Sequence, residues 1–128
     1  MKRLLVVLGL LAAFAAGVGV ERVRSEAKPR VWADVLLDLS TEEIPKRARV
    51  HANLDHWEPG AETGRHRHPG PTVLVMLDGE VEEVLADGRT HTLKAGQAFW
   101  KPARIDHNVK NVGTRPARAL AVHLDPAP

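Results

Sequence analysis

The sequence predicts an all-β fold, a sandwich or a barrel, and three observations carry that expectation. Short alternating or apolar runs recur every eight to twelve residues from Asp34 onward. Turn residues separate them, as in Asp78-Gly79, Asp87-Gly88 and Lys94-Ala-Gly96. No convincing helix follows the first 20 residues, because no later stretch keeps its apolar side chains at helical spacing.

The elements follow in order. Residues 21–33 are mixed in charge, carry Pro29 and read as a linker or arm. Asp34–Leu39 is a short apolar run with which the β pattern begins, and Ser40–Pro45 breaks it as a turn or a single helical turn. In Arg47–Leu54, Ala48, Val50, Ala52 and Leu54 alternate with Arg47, Arg49, His51 and Asn53, the period of a half-buried strand. Thr72–Leu77 is rich in β-branched residues and ends at a turn pair. Glu80–Leu85 and Arg89–Leu93 flank Ala86-Asp-Gly88, a hairpin signal. Gln97–Lys101, Asp106–Lys110 and Ala117–Leu124 complete the set, with Pro102 and Asn111–Pro116 between them.

Composition bounds the function. The chain has 128 residues, enough for one ordinary domain, and its 44% hydrophobic content is that of a globular protein. Aromatic content is only 4% with no Tyr, so the core is expected to be Val, Leu and Ala. The absence of Cys excludes disulfides, cysteine zinc sites and thiolate nucleophiles. Lys2 and Arg3 precede Leu4–Val20, 17 residues with no charge, and small residues (Ala13, Ala15, Gly17) cluster near the end. That is the pattern of a secretory signal over residues 1–20, with an uncleaved signal-anchor helix as the rival. Either places the remainder outside the cytoplasm, periplasmic or extracellular, with membrane contact only through this segment if it is uncleaved. Removing Lys2 and Arg3 from 18 basic residues leaves 16 against 16 acidic ones, and no basic block with interleaved aromatics remains to suit nucleic acid.

The chemistry lies in three histidines. His66 and His68 are two residues apart, so on a strand they share a face, and His107 follows about forty residues later. Imidazole is the commonest protein ligand for divalent transition metals, and a three-imidazole set leaves coordination positions open, as a catalytic metal requires.

These residues resemble the two motifs of the cupin family. The first reads Gly60, five residues, His66-Arg-His68, three residues, Thr72 where the family has Glu, six residues, Gly79. The second reads Gly96, five residues, Pro102-Ala-Arg104 where the family has Pro-x-Gly, two residues, His107, three residues, Asn111. Trp57-Glu-Pro-Gly60 is similar to the usual lead-in, every spacing is kept and eight of ten motif positions match. The resemblance implies a small antiparallel β-barrel of jelly-roll topology over about residues 34–126, with His66, His68 and His107 as metal ligands inside it. Arg104 in place of a turn glycine puts the turn type before His107 in question. Thr72 matters more, because its neutral hydroxyl is a poor ligand beside imidazoles and cancels no metal charge. A three-histidine site of this kind implies Fe(II) first, as in cupin-like dioxygenases acting on thiols and diketones; zinc, manganese, nickel, cobalt and copper also suit imidazoles.

Other polar residues are assigned plainer roles. His51, His56, His91 and His123 are expected at the surface or at strand edges, and Glu80, Glu82 and Glu83 on an exposed strand face. Asp106 and the alternating Arg65 and Arg67 should point away from the metal, and Glu62 is a candidate to replace the missing carboxylate. Trp57, Phe99 and Trp100 are expected to pack the core or the barrel mouth. The leading function is an exported O2-using dioxygenase acting on a small chelating substrate; the other is a non-catalytic barrel that binds a metal or small ligand. Family barrels often pair through an edge strand, and residues 21–40 would supply an arm for such a homodimer.

Overall fold

The computed structural model describes residues 28–128, of which 33–128 form one compact unit. The N-terminal apolar segment lies outside the described residues, and among the described ones no helix is long and apolar enough to cross a membrane. Seven antiparallel strands follow one another: β1 (Ala48–Trp57), β2 (Thr72–Asp78), β3 (Glu80–Leu85), β4 (Thr90–Lys94), β5 (Ala98–Lys101), β6 (His107–Lys110) and β7 (Ala117–Pro126). They build a four-stranded sheet, β1-β7-β2-β5, facing a three-stranded one, β4-β3-β6. The inner faces of the two sheets enclose the core, so the all-β expectation holds and the order of strands is that of a jelly roll.

The turns hold the expected glycines. Gly79 joins β2 to β3 with φ of 68°, and a Cβ there would lie 2.6 Å from the Pro116 carbonyl oxygen, so neither backbone nor space admits a side chain. Arg104 has φ of 62°. The chain therefore keeps the left-handed turn that the family glycine would make, and a larger residue bears the strain. The Arg104 amide donates to the His68 carbonyl at 2.9 Å, which ties this loop to the first histidine pair.

Two expectations are corrected. No strand forms at Asp34–Leu39, and Ser40–Pro45 makes bends without a helical turn. Val35 and Leu36 are exposed there, for a strand needs a neighbouring ladder and this run has none among the described residues. In β1 the apolar set of the alternation faces outward: Val50 is 62% exposed and Leu54 51%, opposite Leu124 and Leu120 of β7. His51, Asn53 and Asp55 take the inward phase that ends in buried Trp57. Alternation separates two faces of a strand but does not say which one lines the barrel.

The barrel interior divides along its length. Trp57, Leu74, Met76, Val81, Leu93, Val109, Ala117, Ala119 and Ala121 form the apolar core. Continuing each inward row by two residues reaches Asp55 from Trp57, Thr72 from Leu74, Glu83 from Val81, Lys101 from Phe99, His107 from Val109 and His123 from Ala121. Each of these strands turns from apolar to polar at one end of the barrel.

Candidate metal centre

That polar end gathers the three histidines. His66 lies on the loop before β2, and its amide and carbonyl exchange 2.9 Å hydrogen bonds with those of His107 at the start of β6. This reciprocal pair fixes the two backbones face to face. His68 follows two residues later on the same side. Ligand atoms of His66, His68 and His107 all lie within 4.8 Å of one another, the spacing of a site able to hold a metal ion.

Hydrogen bonds set the tautomers. His66 Nδ1 lies 2.9 Å from the Gly64 carbonyl oxygen, which only accepts, so Nδ1 carries the hydrogen and Nε2 keeps a bare lone pair. His107 Nδ1 lies 3.3 Å from Glu83 Oε1, and the carboxylate favours a hydrogen on that nitrogen too. The two Nε2 atoms then face each other at 3.2 Å with lone pairs toward the same space. With metal–nitrogen bonds of ~2.1 Å, cis ligands stand ~3.0 Å apart in an octahedron and ~3.4 Å in a tetrahedron, so the separation fits a shared divalent ion.

Burial favours the neutral form of His68 and His107, as ligation requires. It pushes the His68 pKa down to about 4, with His123, His107 and His66 adding to the shift. Burial lowers His107 as well, against the opposing pull of Glu83.

The two walls beside the rings differ. On one, Glu83 reaches His107 through Oε1 and Lys101 Nζ through Oε2 at 2.5 Å. Glu83 is 3% exposed and Lys101 8%, so the ion pair is buried. The expectation of an exposed Glu83 is thus corrected: it shares the inward phase of Val81. On the other wall, Thr72 Oγ1 lies 2.9 Å from His123 Nδ1, and Asn53 Nδ2 donates to His123 Nε2 at 3.3 Å. The Nδ1 hydrogen of His123 is therefore donated to Thr72, and no charge stands where the family motif has its carboxylate. His123 is 7% exposed and stacks on His51 at 4.6 Å, so His123 is not the surface or edge residue expected, whereas His51 lies on the edge strand β1 as expected. Burial lowers the pKa of His123, with a further push from His51.

The cavity beside the histidines is small, about 60 Å³, and Asp55, Thr72, Glu83, Lys101 and His123 help to line it. Burial raises the pKa of Asp55, partly offset by His123, His56 and His66. Glu62 does not approach the rings: its Oε2 accepts from Asn108 Nδ2 at 2.6 Å on the outside, 3.9 Å from Lys110 Nζ. Arg67 and Asp106 pair with each other at 2.6 Å, and Arg65 donates to the Ala86 carbonyl, so all three point away from the site as expected. Sequence reading missed Glu83, Lys101, His123 and Asp55. The signal that could have found them is a polar residue two places beyond a core residue on the same strand.

The cupin domain family model matches residues 53–123. A β-alanine degradation protein, BauB, of Pseudomonas aeruginosa is 49% identical over 57 residues, 43% of this chain and 60% of that protein. The match thus spans less than two thirds of that relative's length. A cupin domain from Bordetella pertussis superposes with a TM-score of 0.55 at 26% identity, over 65% of this chain and 88% of that one. The Bacillus subtilis oxalate decarboxylase, a protein with Mn(II) centres, superposes with a TM-score of 0.55 at 27% identity, over 62% of this chain and 22% of that one. Motif spacing, strand order and the match across most of the barrel agree: this chain belongs to the cupin family.

Proposed function

We propose that this protein is an exported, metal-dependent enzyme that uses O2 on a small chelating organic molecule, with His66, His68 and His107 as the metal ligands. The observation that carries the reading is the pair of Nε2 atoms facing each other at 3.2 Å, both with their hydrogens drawn to Nδ1. A divalent ion there supplies Lewis acidity and a template that orients substrate beside the oxidant. Glu83 holds the His107 ring in place, and the Thr72–His123 wall adds no negative charge, so the site favours an anionic chelating substrate. Asp55 is the cavity group suited to carry a proton on its carboxyl oxygens. Small carboxylates appear in the names of two relatives, β-alanine in one and oxalate in the other, which supports that substrate class. Iron is the first choice of ion, and the Mn(II) centres of the oxalate decarboxylase make manganese the chief competitor. Export rests on the basic start and apolar run of residues 1–20.

Metal content of wild type and His66→Ala tests the site; oxygen uptake with thiols, β-diketones, flavonols and small carboxylates tests the chemistry. Stoichiometric metal lost in the variant, with substrate-dependent oxygen consumption, is the expected result. Metal without turnover on that panel would instead support a non-catalytic metal- or ligand-binding barrel. The small volume at the histidines, room for only a few water molecules, favours that second reading. Failure to bind any divalent ion would remove both.

A further inference from the structure

A second, larger space adjoins the histidine cavity and shares a wall with it. It is a cleft of about 640 Å³ beside β4 and β5, the neighbouring edges of the two sheets. Its volume lies in the range of small-molecule sites. Leu85, Leu93, Phe99 and Ile105 give it an apolar lining. Its inner end is formed by Glu83, Lys101 and His107, three residues that also line the histidine cavity.

We infer that this cleft binds a monocarboxylate with an apolar body, whose carboxylate shares Lys101 Nζ with Glu83. Lys101 is buried, and its Nζ also lies 5.3 Å from the centroid of the Phe99 ring. An ammonium carries three donors, so Lys101 Nζ can hold a second carboxylate without releasing Glu83. Arg89 stands on the same lining, but its guanidinium is exposed and already paired with Asp87 at 2.7 Å. Lys101 therefore supplies the positive charge at the buried inner end, and with the apolar lining it selects an anion with an apolar body. A second carboxylate on Lys101 Nζ would alter the wall behind His107, so ligand arrival would be felt at the metal ligands. This inference deepens the proposed function by naming a substrate class, and it rests on that reading only for its link to catalysis.

Binding of benzoate and of its neutral isostere benzamide to the full chain, followed by amide NMR in the absence and presence of metal, tests it. Benzoate is expected to shift the amides of Phe99, Lys101 and Ile105 saturably and to bind at least ~10-fold tighter than benzamide. The double variant Lys101→Met/Glu83→Gln, which leaves no buried charge unpaired, should bind both ligands equally. Ile105→Ser should weaken both by the same factor, which keeps the cleft testable if the double variant does not fold. Equal binding of the two ligands by wild type, shifts outside the cleft, or a benzoate preference that survives in the double variant would overturn the inference. Metal-free binding separates its failure from that of the proposed function: benzoate preference without metal affinity sinks only the latter.

Discussion

The two ends of the barrel interior are built on the same strands by opposite rules. At the apolar end, Val81, Met76 and Leu93 are almost wholly buried and need no partners beyond close packing. At the polar end, Glu83, Thr72, Lys101, His107 and His123 are nearly as buried, and hydrogen bonds or ion pairs must compensate each of them. The lesson is that one end sets stability through volume, and the other makes stability depend on completeness. A missing methyl is tolerated in the first more readily than a missing partner in the second.

Perturbing each end should expose the difference. The largest effect on metal binding is expected for His107→Ala, which removes a ligand and should lower metal affinity by at least ~100-fold, checked by metal titration. Glu83→Ala comes next: Lys101 is left buried without its partner, at a cost of about 3–5 kcal/mol in urea unfolding. Val81→Ala, at the apolar end, should cost less, about 1–3 kcal/mol. Thr72→Glu would place a carboxylate on the neutral wall; metal affinity should rise, and unchanged affinity would mean that position 72 does not face the ion.

Acid distinguishes the ends as well. The folded-state pKa of His68 is lowered from the usual 6.5 to about 4, so the unfolded chain takes up that proton first as pH falls. The metal-free protein should therefore lose stability as pH drops from 6.5 towards 4, and His68→Gln should flatten that slope. The smallest expected effect is for Arg104→Gly, which relieves a left-handed residue at some cost in chain entropy and should stabilise by about 0.5–1 kcal/mol in thermal unfolding.

Much of this was legible in the sequence, for identifiable reasons. Turn glycines such as Gly79 and Gly88 punctuate the chain, so six of the seven strands begin and end within two residues of expectation. The three metal-site histidines stood out because His66-x-His68 carries a spacing with geometric content. Glu83 and His123 did not, because one polar residue in a strand looks like its solvent face. Their parity with Val81 and Ala121 carried the information. β1 misled in the opposite sense: Val50, Ala52 and Leu54 look like core and lie outside, because its inward phase serves the polar end. Asp34–Leu39 shows that an apolar run without a neighbour remains irregular.

That inverted strand has a colloidal consequence. Among the described residues β1 adjoins only β7, so one flank of a ten-residue strand retains unsatisfied main-chain donors and acceptors beside a greasy stripe. Unless another chain caps that rim, concentrated solutions of this protein should thicken into fibrous or gel-like aggregates, and Val50→Lys or Leu54→Lys should keep them clear.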